Sequence, residues 1–96
     1  MKWDNKETEN LFKVILKLRN VDEAKRFFRD LLTEDELIEF GNRWKAAQML
    51  DAKIPYSEIA RETWLSSRTI ARVSKWLRRG MGGYRLMLDR EKKKKS

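Results

Sequence analysis

The residues best suited to chemistry form a basic stretch in the C-terminal half of the chain. Between Ser66 and Gly80 there are five arginine or lysine residues and no acidic residue. Guanidinium and ammonium groups bind phosphate oxygens, and an arginine can also pair with both acceptors on the major-groove edge of guanine. This composition indicates binding of a nucleic acid.

The expected roles in that stretch follow from side-chain chemistry. Arg68 is the main candidate for direct recognition of a base pair, with a discrimination of about 1–3 kcal/mol. Ser67 and Ala71 are short enough for close approach to DNA, and the methyl group of Ala71 can contact a thymine methyl. Hydroxyl groups are expected to contact phosphates, and lysines to act through charge. The residues predicted to contact DNA are Tyr56, Ser57, Ser66, Ser67, Arg68, Thr69, Ala71, Arg72 and Lys75.

These residues lie in a segment, at about 56–79, that has the pattern of a helix-turn-helix. In its first helix the small Ala60 permits a close crossing by the second. Leu65 is an apolar residue in the turn and can fill the angle between the helices. A serine at 66 or 67 can cap the second helix, in which Ile70 and Val73 are expected to face inward. Such a helix can lie in the major groove with its N-terminal residues at the base edges.

The remaining elements are also predicted to be helical. Apolar residues recur at helical spacing in residues 7–19. Asp22 is the expected N-cap of a second helix, and Thr33 and Glu36 form a capping box for a third that runs to about residue 51. Gly41 lies inside the third helix, where we expect a close helix crossing.

The C-terminal part is predicted to end in a short helix at 84–91 and a basic disordered tail at 92–96. Residues 1–91 are therefore expected to form a single helical domain. We find no run with the alternation of a β-strand, so the predicted fold class is all-α.

The composition lowers the prospect of catalysis and of metal binding. The chain has no cysteine and no histidine, which removes thiolate ligands and the commonest metal ligand and general base. The acidic pairs Glu58/Glu62 and Asp89/Glu91 are interpreted as solvated helix faces. We therefore expect no enzyme activity, no catalytic residue and no metal.

The charge is unevenly distributed along the chain. Residues 1–40 have eight basic and ten acidic residues, whereas residues 41–96 have fifteen and five. The excess of positive charge in the second half indicates a polyanionic partner for that half.

No apolar run is long enough to span a bilayer, and no hydrophobic signal-peptide core follows the N-terminal residues. We expect a soluble, cytoplasmic protein with no membrane partner.

Taken in order, several segments resemble the tryptophan repressor superfamily, and more closely a small Trp-repressor-like branch of it. The resemblance covers roughly residues 31–90. The matching segments are LLTEDE at 31–36, GNR at 41–43, EIA at 58–60, SRTIARV at 67–73 and GMGGY at 80–84.

The resemblance implies six helices per subunit and an intertwined homodimer whose shared core comes from the first three helices of both chains. Such a core would also account for the heavy aromatic content of the chain, with aromatic side chains buried between subunits. The resemblance further implies two DNA-binding helices about one turn of DNA apart (~34 Å), the half-site spacing of helix-turn-helix dimers such as the Trp repressor. It therefore implies a sequence-specific double-stranded DNA-binding transcriptional regulator, with repression expected, that binds a palindromic operator.

The resemblance also bears on a small-molecule effector. The residues that match the family's tryptophan corepressor pocket are Thr33, Arg43, Thr69 and Arg72. Two departures oppose binding: Val73 replaces a glycine that directly follows the pocket arginine, and Trp76 replaces a serine three residues further. Trp76 could itself occupy the space of an indole. We therefore expect no cofactor, no tryptophan-like corepressor and DNA binding without an effector.

Two other functions fit the same composition: a helical protein-interaction module, and non-specific nucleic-acid or RNA binding through exposed aromatic residues. The aromatic candidates for the latter are Tyr56, Trp64 and Tyr84. Trp64 lies in the predicted turn, where a glycine-like residue is common. A positive φ there would strain a tryptophan, so we expect either a different turn geometry or an indole exposed at the DNA or dimer surface.

Overall fold

The computed structural model describes residues 2–95, with side chains described as far as residue 93. Six α-helices follow one another, and the described residues form no β-strand. The helices are α1 (Lys6–Ile15), α2 (Val21–Leu31), α3 (Glu34–Asp51), α4 (Tyr56–Thr63), α5 (Ser67–Arg79) and α6 (Gly83–Lys95). The predicted all-α class is confirmed, and no described helix is both long and apolar enough to cross a membrane.

The first two helices begin at asparagine caps. The Asn5 side chain accepts a hydrogen bond from the Thr8 N–H at 3.0 Å, and α1 ends at Ile15, before the predicted end at residue 19. The Asn20 side chain accepts from the Glu23 N–H at 2.8 Å. The prediction that Asp22 caps α2 is therefore wrong. Asparagine is as good a cap as aspartate, and a cap at Asn20 lets α2 begin one residue before Asp22.

The chain comprises two compact units, residues 1–34 and residues 35–96, where the sequence predicted one domain over residues 1–91. The first unit contains α1 and α2, and neither helix has a buried residue. Two short amphipathic helices have too little apolar surface to enclose a core between themselves. The second unit contains nearly all of α3 together with α4, α5 and α6.

The core of the second unit lies where α3, α4 and α5 meet. It consists of Ala46 and Ala47 from α3, Ile59 from α4, and Ile70 and Val73 from α5. The two alanines leave room for the larger side chains of the neighbouring helices. Half-buried side chains pack around this core, including Leu65 of the turn, as predicted, and Tyr84 of α6.

Helix α6 packs against α5, and ion pairs join it to the end of α3. One Asp51 carboxylate oxygen accepts from Arg85 Nη1 at 3.0 Å, and the other lies 2.8 Å from Lys92 Nζ. Hydrogen bonds from Arg85 and then Lys92 lower the pKa of Asp51 from 3.8 to about 2, against a smaller opposing effect of burial. These bonds hold the helix that follows the proposed DNA-binding helix.

Two expectations about elements differ from the structure. Helix α6 continues through Lys95, so the segment predicted as a tail from residue 92 is helical to that point, and Ser96 lies outside the described residues. Lysine is a good helix former, and cations favour the C-terminal end of the helix dipole. Gly41 is exposed, and a Cβ built there meets no described atom within 4 Å. The predicted close crossing at Gly41 is therefore not found among the described residues, because a crossing helix would place atoms within van der Waals contact of that Cβ.

Candidate nucleic-acid interface

The first helix of the helix-turn-helix is short and its end is closely held. Helix α4 begins directly after Pro55, whose φ of −63° suits the start of a helix. Ile59 is fully buried, and the buried Thr63 hydroxyl donates a hydrogen bond to the Ile59 carbonyl at 2.7 Å. The Leu65 N–H in turn donates to the Thr63 hydroxyl at 3.3 Å. The Thr63 side chain therefore connects the last turn of α4 to the residue that fills the angle between the helices.

Trp64 forms the turn itself. Its φ of 61° and ψ of 10° place it in the left-handed region, and its N–H donates to the Ala60 carbonyl at 2.9 Å. This conformation costs a residue with a side chain about 1–2 kcal/mol. The indole is 90% exposed. The turn therefore has the ordinary left-handed geometry with a tryptophan in the position that usually favours glycine, and the side chain lies in solvent.

Helix α5 is capped by Ser66, one of the two serines predicted for that role. Its hydroxyl oxygen accepts from the Thr69 N–H at 3.1 Å and donates to the Thr69 hydroxyl at 3.1 Å. Ile70 and Val73 are buried, as predicted from their spacing, and they fix the inward face of the helix. The opposite face is therefore presented away from the core.

The exposed face of α5 has the residues that the sequence assigned to it. Positions 68, 71, 72 and 75 lie on one side of a helix, since they are three or four residues apart. Among the described residues, neither Arg68 nor Arg72 has an ion-pair partner, whereas Lys75 Nζ lies 5.4 Å from the centre of the Trp76 ring. All of these side chains are exposed, as is Ser67 at the start of the helix. Thr69 is half-buried and already bonded to Ser66.

The remaining predicted contacts lie at the start of α4. Tyr56 and Ser57 are the first two residues of that helix, and both are exposed. Arg61, the basic residue of α4, lies 3.7 Å from the Glu58 carboxylate. Within the helix-turn-helix, Arg61 on α4 therefore has an acidic neighbour, whereas Arg68 and Arg72 on α5 have none among the described residues.

Sequence analysis missed a cleft of about 620 Å³ beside the helix-turn-helix. Its polar lining includes Lys53, Tyr56 and Arg78, and the full lining is Leu50, Asp51, Lys53, Ile54, Tyr56, Ser74, Leu77, Arg78 and Arg85. These residues come from α3, α4, α5 and α6 and the connection before α4. No local sequence pattern could have grouped them, because only helix packing brings them together.

Three of the four acidic residues considered as catalytic candidates have ordinary ion-pair partners. Glu58 lies 3.7 Å from Arg61, and Glu62 lies 3.7 Å from Lys45. Asp89 accepts from Arg85 at 3.1 Å. Within the described part of the chain, no group of carboxylates could hold a metal ion.

The residues compared with a corepressor pocket are distributed as follows. Arg43 forms an ion pair with Glu39, and its guanidinium lies 5.5 Å from the centre of the Phe40 ring. Thr33 directly precedes α3, and Thr69 and Arg72 lie on consecutive turns of α5. Val73 is buried, with 2% of its surface exposed, whereas Trp76 is 48% exposed. Arg43 therefore already has an acidic and an aromatic neighbour within its own helix.

Comparison with known proteins gives consistent results. Residues 6–92 match the family model described as Trp repressor protein. The uncharacterised protein YerC of Bacillus subtilis (strain 168) is 40% identical over 91 residues, which span 95% of this chain and 88% of YerC. A TrpR-like protein from Eubacterium eligens ATCC 27750 superposes with a TM-score of 0.87 at 37% identity, over 91% of this chain and 90% of that one. A candidate Trp repressor from Staphylococcus aureus gives a TM-score of 0.85 at 35% identity, over 90% and 86% of the two chains.

Proposed function

The chain belongs to the Trp repressor family, a family of DNA-binding regulators and not of enzymes, and from this premise we propose that it is a sequence-specific transcriptional regulator of double-stranded DNA. It acts in the cytoplasm as a homodimer, and its most direct action is to repress transcription by occupying a palindromic operator. Helix α5 enters the major groove and α4 lies across the phosphate backbone.

The main support for this proposal is the exposure of Arg68 and Arg72 on α5 and their lack of ion-pair partners among the described residues. Arg68 and Arg72 are exposed, lie on one side of the helix and have no ion-pair partner among the described residues. Five of the nine other arginines of the described chain have an acidic partner, for example Arg26, Arg29 and Arg85. Guanidinium groups without a carboxylate partner can bind phosphates and the major-groove edge of guanine.

The homodimer is supported by apolar side chains that the single chain leaves in solvent. In the first unit Phe12 is 48% exposed, Val21 is 70% exposed and Leu31 is 45% exposed. Large apolar surface of this kind is seldom left exposed in a monomer and is typical of an interface. A second copy that covers these helices would produce a two-fold axis and two α5 helices on neighbouring turns of DNA.

Selection of binding sites from random duplex DNA tests the proposal. We expect enrichment of a site with dyad symmetry, and loss of the enriched motif in Arg68→Ala and Arg72→Ala. Arg26→Ala removes the same charge from an exposed position on α2 and serves as the control that keeps the motif. Recovery of no motif, or of one without a dyad, would contradict the proposal.

Salt dependence separates this function from that of a protein-interaction module. Binding through phosphates releases counterions, so the affinity should fall steeply and linearly on logarithmic axes as salt rises. Each phosphate contact that is removed should lower the slope by about one. An affinity for duplex DNA that is insensitive to salt would favour the interaction module.

We also propose that DNA binding requires no tryptophan. Arg43 is engaged by Glu39 and Phe40, Val73 takes the place of a glycine, and Trp76 adds a large ring where a small residue would leave space. Calorimetric titration with tryptophan should give no heat of binding and leave the DNA affinity unchanged. A micromolar dissociation constant for tryptophan would overturn this part of the proposal.

A non-specific single-stranded or RNA-binding function has less support. Of the three aromatic residues that would stack on bases, Tyr84 packs against the core and stacks on Trp44, with 6.4 Å between ring centres. Tyr56 and Trp64 remain exposed. A preference for single-stranded over duplex DNA in competition would favour this alternative.

A further inference from the structure

The turn of the helix-turn-helix presents a large aromatic side chain to solvent. Trp64 is 90% exposed, more than any other large apolar side chain of the described residues. Tryptophan is highly buried on average in folded proteins, because its ring system has the largest apolar surface of any side chain. An indole left almost entirely in water therefore needs an explanation beyond the folding of this chain.

The backbone conformation at Trp64 makes the choice of residue more unusual. Its φ of 61° is one that glycine adopts without strain, and tryptophan does not. The bonds from Trp64 N–H to the Ala60 carbonyl and from Leu65 N–H to Thr63 hold the turn on both sides. Strained conformations of this kind persist where the surroundings impose them, and they cluster at binding sites.

Lys53 provides an internal comparison. It is the other residue of the described chain, glycine apart, with a positive φ, at 65°. Its exposed ammonium group is well solvated, so an exposed side chain at Lys53 requires no partner. The indole of Trp64 gains nothing comparable from water, and a partner surface would stabilise it by covering its apolar faces.

The residues near Trp64 indicate which kind of partner would cover the indole. Three peptide units separate Trp64 from Ser67, so their Cα atoms lie within about 11 Å of each other. Ser67 begins the helix that carries Arg68 and Arg72, and no acidic residue occurs from Thr63 to Gly80. The indole therefore lies near the start of a helix whose charged side chains are all basic, and such a helix complements a phosphate backbone.

We propose that Trp64 contacts the sugar–phosphate backbone of duplex DNA beside the helix that enters the groove. The apolar faces of the indole lie against deoxyribose, and its Nε1–H, a donor only, donates to a phosphate oxygen. This proposal rests on the proposed function and adds to it a neutral contact outside the predicted set. The rigid left-handed turn sets the position of the indole before DNA binds.

A contact of this chemistry has a distinctive signature. Because it involves no base, its loss should weaken operator and non-operator duplexes by the same factor. Because the indole is uncharged, its loss should leave the slope of log affinity against log salt unchanged. Replacement of an arginine on α5 should instead lower the salt slope, and Arg68 should also affect specificity.

The test compares Trp64→Asn with Trp64→Tyr in binding to duplex DNA over a range of salt concentrations. Asparagine tolerates the left-handed conformation, so Trp64→Asn should keep or raise the thermal midpoint of unfolding. We expect about tenfold weaker affinity for every duplex, a typical loss on truncation of a contacting tryptophan, with an unchanged salt slope. Trp64→Tyr keeps an aromatic ring with a donor and should retain most of the affinity.

Met81→Ala is the matched control, because Met81 is 87% exposed and lies outside the helix-turn-helix. It should bind every duplex like the unmodified chain. Unchanged affinity in Trp64→Asn, with normal binding by the unmodified chain, would overturn the Trp64 contact and leave the proposed function standing. Failure of the unmodified chain to bind any duplex would overturn both. A changed oligomeric state in Trp64→Asn, or loss of single-stranded DNA binding alone, would assign the indole to another partner and also overturn the proposal.

Discussion

At the scale of single residues, the arginines differ in whether a carboxylate lies close enough to neutralise their charge. Arg43, Arg61 and Arg85 each lie beside a carboxylate. Arg68 and Arg72 do not, although the described chain has acidic residues on its other helices. The difference follows from the absence of acidic residues along α5, which leaves its cations available to a partner.

Asp51, like Arg85, takes part in two ion pairs among the described residues. Its carboxylate has one oxygen near Arg85 and the other near Lys92, and its side chain is 15% exposed. Arg85 gains from the same contact, since its hydrogen bond to Asp51 raises the pKa of the guanidinium. The pair therefore connects residues that are 34 positions apart in the sequence.

We expect Asp51→Asn to lower the free energy of unfolding by about 1 kcal/mol at neutral pH. Since folding lowers the pKa of Asp51 from 3.8 to about 2, its contribution is complete above about pH 4 and is lost as the pH falls toward 2. The difference between the unmodified chain and Asp51→Asn should therefore shrink between pH 4 and pH 2, as measured by denaturant unfolding.

Asp89→Asn is the control for this prediction, because Asp89 also bonds Arg85 but its side chain is 57% exposed. It should cost less than Asp51→Asn, because an ion pair exposed to water contributes little stability. If the free energies of unfolding of Asp51→Asn and of the unmodified chain changed in parallel down to pH 2, the ion pairs of Asp51 would contribute no stability that depends on pH.

At the scale of elements, the earlier and later parts of α3 have different surroundings. Ala46 and Ala47 are fully buried against α4 and α5. Ile38 and Phe40, nearer the start of the helix, are 62% and 45% exposed, and Gly41 beside them has open space around it. The early part of α3 therefore exposes apolar side chains in the single chain, which is consistent with the proposed dimer.

Gly41→Ala tests whether a second copy packs there. In an exposed helix the change should stabilise the chain by about 1 kcal/mol, because alanine is the better helix former. We expect a helix of the partner to cross at Gly41, in which case the added methyl group should instead raise the dissociation constant of the dimer. Sedimentation equilibrium and denaturant unfolding distinguish the two results.

Gln48→Ala, at an exposed position of the same helix, is the control and should change stability by less than about 0.5 kcal/mol. A gain of about 1 kcal/mol in Gly41→Ala without a change in the dissociation constant would show that no helix crosses at that point.

At the scale of the whole molecule, the two compact units differ in how much they bury. The second unit has a core of its own, whereas the helices of the first have no buried residue. Short helices without tertiary packing are marginal in water, and their stability here would depend on what covers their apolar sides. In the proposed homodimer, a second copy of the same surface would supply that cover.

We therefore expect the midpoint of thermal unfolding to rise with protein concentration, because association stabilises the folded state by mass action. Phe12→Ser should lower the midpoint and weaken association, whereas Lys13→Ser, at the neighbouring exposed position, should have little effect. A midpoint independent of concentration, together with a monomer at micromolar concentration, would contradict the dimer.

The sequence by itself determined the elements and the inward face of α5. Helix positions depend on local apolar spacing, capping groups and the constraint of Pro55, and these gave α3, α4 and α5 close to their observed bounds. Leu65, Ile70 and Val73 were placed against the core for the same reason. The exposed side of α5 then followed from helix geometry.

The tertiary structure alone decided what depends on distant residues. It showed that Trp64 takes the left-handed conformation, that Asp51 joins Arg85 and Lys92, and that a cleft opens beside Tyr56. It also left Gly41 uncovered, against the expectation of a crossing within the chain. The physical reason is the range of the interactions: hydrogen bonds of a helix join residues four apart, whereas packing joins residues whose separation in sequence carries no local signal.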